Sequence, residues 1–398
     1  MIRIKSTPYQ NTAGFLAAAA SIAEYYGFEH FENLPKETTR RSLPPGARPD
    51  SDINYARRDE RALPSAARRL IAVGSLPQGA TLAWRTSPLS TGIPGIALEL
   101  HAVGIDSAIA EALLIVTADA IIKHAQIADR LLSINNLGSA ESSSRYVRDV
   151  GTYLRKHIES ISASLRPRVA IDPLGALVQL IERGHPAVSR APQAMEYLTE
   201  DERRGFWDLL EYLEISGLPY ELNGQILGSR DCWAHTMYEI ATIDPETGGR
   251  TIVAFGGRYD PLMSRFARKP YPAAMIAIHA EVRGSTSIKV RTPGIRAMYF
   301  AHLGLEARRR ALPTLEKLRE AGISVYHGLW HERIGEQMTS ARTFATPYIL
   351  IMGHKEAIEG TILVREVATN SQEAVPLDAL PAYLRQRRFG VWQTIAKS

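Results

Sequence analysis

The stretch FGGRYDPLMSRF, Phe255 to Phe266, follows a short apolar run, Thr251 to Ala254, with the composition of a strand. Two adjacent glycines carry no Cβ, so another backbone or a ligand can approach closely. The arginine after them can hold a carboxylate or a phosphate through two N–H groups at once. A tight turn locked by a structural salt bridge would use the same residues, so the stretch alone does not separate a site from a scaffold. Its neighbours place it. YELNG (220–224), MYEIATID (237–244) and RTIVAFGG (250–257) read as antiparallel strands, which puts the glycine motif on a sheet.

Further towards the N-terminus the chain turns helical. GFLAAAASIAEYYGF (14–28) reads as a helix closed by Gly27. Residues 106–132 read as one long, largely buried helical stretch, and 139–165 as a polar amphipathic helix. TEDERRGFWDLLEYLEISG (199–217) opens with Thr-x-x-Glu, a reciprocal capping signal, and stops at Gly217. The C-terminal part alternates strand and helix: AMYFAHLG, then the helix from Leu305 to Gly322, ISVYHGLW, the helix ERIGEQMTSARTFA, the strands PYILIMG and TILVREVAT, and the helix VPLDALPAYLRQRR. That alternation predicts a small α/β sandwich. RGSTSIKVRTPG (283–294) reads as the linker before it. The expected architecture is therefore α+β over residues 1–290, with a helical insertion over about 136–200, followed by an α/β domain over 291–398.

Composition narrows the function classes. Of 398 residues, 45% are hydrophobic and 22% charged, as in a folded globular chain. The net charge is +5, and its placement is uneven: residues 291–398 hold 15 Lys+Arg against 10 Asp+Glu, and the remainder holds 32 of each. A surplus confined to the C-terminal part suggests a polyanionic partner there, such as RNA. The single cysteine, Cys232, excludes an intramolecular disulfide and fits a reducing compartment. No run of about 18 apolar residues is present, and MIRIKSTPYQNT lacks a basic-then-apolar leader layout, so a cytoplasmic protein with no membrane partner is expected. His327 and His331 are four apart, yet HGLWH straddles a strand end and lacks a third ligand at a set spacing, so no metal is expected. Cys232 reads as a small core residue, and no phosphate-binding glycine loop follows a strand.

Read together and in order, these pieces resemble the histidyl-tRNA synthetases, a family of class II aminoacyl-tRNA synthetases. FGGRYDPL resembles their second histidine motif, of the form GGGRYDxL. IAEYYGFEHFENLPKE is similar to class II motif 1, with Pro35 at the position expected in a dimer interface. SINNLGSAESSSRY and IDPLGALVQL resemble the helical insertion and the link after it. LEYLEISGLPYELNGQILGSRDCWAHTMYEI resembles the first histidine motif and its approach. IGEQMTSA and the segment from Tyr348 to Leu384 resemble the anticodon-binding domain. The resemblance implies a class II antiparallel sheet core with flanking helices, a homodimer and a tRNA-facing C-terminal domain. It also implies ATP and Mg as co-substrates if the chain is active, with no tightly bound cofactor.

The resemblance also implies roles, and departures from them. Activation brings an ATP phosphate against an amino-acid carboxylate, so arginines must neutralise both. LAWRTSP supplies Arg85 as the phosphate arginine. ELHAVGID matches EFHQxGxE at Glu99 and His101, but Ala102 replaces the glutamine. In the first histidine motif Gly228 stands where the catalytic arginine belongs, with Arg230 two residues on. Cys232 and Trp233 replace the tyrosine pair. In the second motif Phe255 replaces a glycine, while Gly256, Gly257, Arg258 and Tyr259 match. AAMIAIHAEVR resembles motif 3, GFAxGxER, with Met275 and His279 for its glycines, Glu281 matching, and Arg283 one residue late. Losing one preorganised charge contact costs on the order of 100- to 1000-fold in rate. The expectation is a divergent paralogue, a pseudoenzyme that binds tRNA or a protein partner. The alternatives are an active histidine–tRNA ligase using Arg85, Glu99, Arg230, Arg258 and Arg283, or a regulatory subunit like that of ATP phosphoribosyltransferase.

Overall fold

The structure is a computed structural model, and it describes residues 1–34, 52–72, 80–89, 94–243, 248–289 and 296–387. Pro35 lies outside the described residues. The chain divides into two compact units. The first comprises Met1–Ala20, Phe28–Leu209 and Pro219–Lys289; the second comprises Ser21–Gly27, Leu210–Leu218 and the described part of 290–398.

The first unit is built on an 8-stranded sheet with strands β1 (Glu29–His30), β2 (Thr81–Pro88), β3 (Gly95–Val103), β4 (Arg130–Asn136), β5 (Tyr220–Leu222), β6 (Ala234–Ile243), β7 (Arg250–Arg258) and β8 (Ala273–Glu281). Their order is β1-β2-β3-β8-β7-β6-β4-β5. The β1–β2 and β4–β5 pairs are parallel and the rest antiparallel. Around it lie helices α1 (Thr12–Tyr25), α2 (Leu63–Ala72), α3 (Ile109–His124), α4 (Ala140–Lys156), α5 (Arg166–Ile171), α6 (Pro173–Glu182), α7 (Glu200–Ile215) and α8 (Asp260–Ala267), of which α1 and α7 run on into the second unit. The apolar α3 is buried almost throughout and packs on β3, β7 and β8, covering one face of the sheet. The other face carries the cleft described below.

Two helix ends in the first unit differ from the sequence reading. The helical stretch expected over 106–132 ends at His124, and the chain reverses through Gln126, at φ +60°. Its last residues belong to β4, which lies between β5 and β6 and is buried along most of its length. A strand buried on both sides shows no period-two alternation, so its apolar run reads as more helix. The helix expected over 139–165 ends at Lys156 and gives way to a turn at Ile158–Ser160. The capping signal at Thr199 is formed in both directions. Glu202 N–H donates to Thr199 Oγ1 (3.3 Å), and Thr199 N–H donates to Glu202 Oε2 (2.7 Å). The same carboxylate accepts Ser139 N–H and the Ser142 hydroxyl, tying α7 to the start of α4. Burial pushes Glu202 up, but these donors outweigh it and hold the group at about 2.

The second unit has a 5-stranded sheet of β9 (Met298–His302), β10 (Tyr326–His327), β11 (Tyr348–Met352), β12 (Thr361–Glu366) and β13 (Gln372–Pro376), ordered β10-β9-β11-β12-β13. Its helices are α9 (Leu305–Glu320), α10 (Ile334–Thr343), α11 (His354–Glu359) and α12 (Leu380–Gln386). β9, β10 and β11 are parallel, and β12 and β13 complete the sheet antiparallel. The expected C-terminal helix begins at Leu380; Val375 and Pro376 belong to β13. One face of β9 and β11, with Tyr299, Ala301, Ile349 and Ile351, packs against Ile334, Met338 and Ala341 of α10. Arg296 is buried and donates to the carbonyls of Tyr25 and Val325 at 2.8 and 2.7 Å, satisfying acceptors at the end of α1. Among the described residues no helix is long and apolar enough to cross a membrane.

Candidate functional site

One cross-strand row organises the open face of the first sheet. Arg85 on β2 stands opposite Glu99 on β3, which faces Ala277 on β8, then Phe255 on β7, Glu239 on β6, Ser133 on β4 and Glu221 on β5. Strand side chains alternate between faces, so residues two apart share this surface. It therefore carries His101 and Gly257 as well as Glu99 and Phe255. Gly256 and Arg258 belong to the α3 face.

Arg258 is only 4% exposed. It ion-pairs with Glu111 of α3 (3.0 Å) and Asp260 (3.1 Å), and donates to the carbonyls of Ile105 (3.0 Å) and Asp106 (3.2 Å). Burial alone would weaken its proton affinity, but the carboxylates of Glu111 and Asp260 outweigh this and keep it charged. The two glycines are demanded by packing. A Cβ on Gly256 would lie 2.1 Å from the Met275 carbonyl oxygen, and one on Gly257 2.6 Å from that of Thr236.

On the open face a small cleft of about 40 Å³ is lined by Ser87, Ala97, Glu99, Trp233, Phe255, Met275, Ala277 and His279, with Asp59, Ala62, Leu63, Pro88 and Leu89. A cavity that accepts a single benzene measures about 150 Å³. Neither Arg258 nor Arg230 lines it. Arg230 instead reaches α4 and donates to Ser144 Oγ (2.8 Å). Glu281 accepts the Ile4 N–H (2.7 Å), and Arg283 sits in the exposed turn after β8, its backbone bonded to Thr12.

Beside the cleft, Arg85, Glu99 and Tyr259 are joined through His101. Arg85 Nε donates to Glu99 Oε2 (2.6 Å), the imidazole Nε2 meets the same oxygen (3.2 Å), and the Tyr259 hydroxyl meets Nδ1 (2.9 Å). Arg85 also donates to Ser65 Oγ (3.2 Å) and the Ala62 carbonyl (3.4 Å). Burial lowers the His101 proton affinity, which leaves a neutral ring donating from Nε2 and accepting at Nδ1. Burial raises Glu99, but the His101 hydrogen bond and the Arg85 charge prevail and hold it at about 2.

The segment Asn54–Ala62 covers the rest of the cleft. Arg57 lies over the Phe255 ring, 3.9 Å from its centroid, and ion-pairs with Glu239 (3.2 Å) and Asp59 (3.4 Å). Trp233 packs edge-on against the same ring, with centroids 5.4 Å apart. Glu60 accepts from the backbone N–H groups of Ala56 (2.7 Å), Arg57 (3.0 Å) and Ser229 (2.7 Å), and from the Trp233 indole N–H (3.1 Å). Burial pushes Glu60 up to about 7, against the lowering effect of its backbone donors. The Asn54 N–H adds a bond to Asp231 (2.8 Å). Arg57, Asp59 and Glu60 sit in the charged run ARRDER, to which the sequence analysis assigns no role. The long-range partners of Arg57 and Glu60 are about 170 to 180 residues away along the chain, and no local pattern announces them.

Residues 303–387 match the anticodon binding domain family. The chain is 28% identical over 263 residues to the histidine–tRNA ligase of Symbiobacterium thermophilum, an alignment covering 64% of this chain and 60% of that protein. It is 26% identical over 275 residues to histidine–tRNA ligase 1 of Shouchella clausii, covering 68% and 65%. Over these stretches the chain is similar to the histidine–tRNA ligases. It spans 60 to 65% of the length of those two relatives. Among solved structures it is similar to the apo histidyl-tRNA synthetase of S. aureus, at TM-score 0.49 and 18% identity, over 93% of this chain and 94% of that one.

Set in the histidyl-tRNA synthetase pattern, the departures fall together in space. Trp233, Phe255, Met275 and His279, each at a position where the pattern has another residue, all line the one cleft. Gly228, at the arginine position of the ungapped pattern, has no room for a side chain. A Cβ there would lie 2.4 Å from Trp233 Cδ1 and 2.7 Å from Glu60 Oε1. Burial lowers His279 to about 4, so it contributes a neutral ring rather than a charge. Elsewhere, Cys232 is buried and burial pushes its thiol up, away from the reactive thiolate. His327 and His331 take separate partners: His327 Nε2 donates to the Tyr26 carbonyl (3.0 Å), and His331 Nδ1 meets Glu336 (3.2 Å).

Proposed function

We propose that this synthetase-family chain is a divergent paralogue that binds tRNA through its C-terminal unit and has little or no capacity to activate histidine. The carrying observation is the filled cleft. The space beside Phe255 and Trp233 is about 40 Å³, the Arg57 side chain lies on the Phe255 ring, and Trp233 occupies the volume above Gly228. An adenylate, far larger than the benzene that needs about 150 Å³, has no room there with Asn54–Ala62 in place. Charge supports the same reading. Arg85 and Arg258 are each committed to carboxylates within the protein, and Arg230 is bonded to Ser144 away from the cleft. They do not converge as a clamp on a developing phosphate charge.

The retained half of the pattern supports tRNA as the ligand. The anticodon binding domain match covers 303–387, inside the C-terminal stretch 291–398 that as a whole carries the Lys and Arg surplus. A cytoplasmic homodimer is part of this proposal. ATP and Mg would be needed only if activation survives.

Histidine-dependent ATP–pyrophosphate exchange, with tRNA binding measured on the same preparation, tests the reading. The expected result is tRNA binding without exchange. Robust exchange overturns it in favour of an active ligase. Neither exchange nor tRNA binding, with a response to free histidine, overturns it in favour of a regulatory subunit.

A further inference from the structure

The second unit carries an aromatic ring that stays partly exposed although it stacks with two tyrosines. Phe344 follows α10 and remains 42% exposed. Its ring lies parallel to Tyr326, with centroids 4.1 Å apart and 7° between planes. Tyr299 also stacks against Phe344 itself, at 6.4 Å and 25°. Tyr326 is in turn backed by the Arg296 guanidinium, 5.1 Å from its centroid, and Arg296 is buried and held by three backbone carbonyls. The stack thus has a rigid base in Arg296 and Tyr326, and Phe344 is its exposed member.

The turn that presents the ring is specialised. Ala345 takes φ +49°, a left-handed conformation that a residue with a Cβ adopts only under constraint. It closes α10 so that Arg342, Thr343, Phe344 and Ala345 are all exposed. Arg342 has no ion-pair partner among the described residues. An exposed ring with a solvent-facing guanidinium two residues away is the pairing that takes an unstacked base and its phosphate. An apolar protein partner would leave the Arg342 charge uncompensated; a nucleotide satisfies both groups.

We propose that Phe344 is a stacking platform for one unpaired base of a bound RNA, with Arg342 on the adjoining phosphate. The proposal rests on the tRNA reading above and specifies where a single-stranded nucleotide docks. The base adds to the stack that Phe344 makes with Tyr326 and Tyr299. The contact is sequence-tolerant, because every base offers a π-face.

The test uses the full chain with bulk bacterial tRNA and with a short RNA hairpin carrying one 2-aminopurine in its unpaired loop. Phe344→Ala should weaken tRNA binding by roughly 5- to 150-fold, and Phe344→Trp should preserve it. Stacking should quench 2-aminopurine in the complex with the unmodified chain and with Phe344→Trp, but not in saturated Phe344→Ala. Circular dichroism on each variant verifies folding, and the tryptophan variant keeps the test decisive if alanine perturbs the turn. Unchanged affinity and quenching in folded Phe344→Ala overturn the platform while leaving tRNA binding intact. Failure of the unmodified chain to bind either RNA overturns the tRNA reading, and the platform with it.

Discussion

The open face of the first sheet and the α10 turn of the second unit treat the same side-chain types in opposite ways. On the sheet, aromatic rings and guanidinium groups are turned inward. Phe255 is 3% exposed and covered by Arg57 and Trp233, and Arg57 and Arg85 are paired to Glu239 and Glu99. At the turn, Phe344 and Arg342 face solvent. Composition alone would rate both as ligand sites, since arginine beside an aromatic ring is a recognition pair in either place. What separates them is whether the chain supplies its own partner.

The contrast can be broken most forcefully at Phe255. Replacing it with alanine removes the ring on which Arg57 and Trp233 pack and should destabilise the protein by about 3–5 kcal/mol, read from chemical denaturation. A loss of under about 1 kcal/mol would mean that the packing is incidental. A double-mutant cycle with Arg57→Ala should show coupling of about 0.5–2 kcal/mol, because the two side chains touch.

Glycines give the next largest difference. Gly256→Ala forces a Cβ against the Met275 carbonyl in a central strand, and should cost on the order of 3 kcal/mol. Gly335, at the start of α10, has open space around the position that an alanine methyl group would take, with nothing within 4 Å. Gly335→Ala should therefore be neutral or stabilise by up to about 1 kcal/mol. Equal shifts in the two variants would contradict the assignment of the glycine pair to sheet packing.

Acidity sharpens the picture within the first unit. Glu60 is raised from 4.5 to about 7, so its contribution to stability is fully present below 4.5 and is lost as pH rises through 7. Glu99 is lowered from 4.5 to about 2, so its contribution is present above 4.5 and is lost as pH falls towards 2. In melting temperature against pH, Glu60→Gln should flatten the profile between 4.5 and 7 relative to the unmodified chain, and Glu99→Gln should flatten the acid limb. Identical profiles would show that neither carboxylate is shifted. The smallest effect belongs to the second unit: Arg342→Ala should lower the slope of log affinity for tRNA against log salt by about 1.

Much of the fold was legible in the sequence because the signals were local. The Thr199–Glu202 capping pair, the Gly217 stop and the strand–helix alternation after 296 each depend on a few neighbouring residues, and each is formed. The part that failed, β4, is a strand whose identity is conferred by β5 and β6 on either side. The site divides along the same line. Strand register carried Glu99 and Phe255 to one face, and the alternation that put them there sent Arg258 to the other, against α3. The covering segment was hidden because Arg57 and Glu60 take their meaning from Glu239, Ser229 and Trp233. A charge run with distant partners looks like any solvated face.

The four N–H groups gathered on Glu60 tie three parts of the chain to one side chain. They connect the covering segment, the Ser229 turn and the Trp233 indole into one closed loop of contacts, and Trp233 in turn meets the ring beneath Arg57. A glycine at 255 would leave Arg57 without its platform and a void beside Trp233. An arginine at 228 would strike the indole. Glu60 therefore acts as a keystone: a change at one of these positions unsettles the contacts that hold the others.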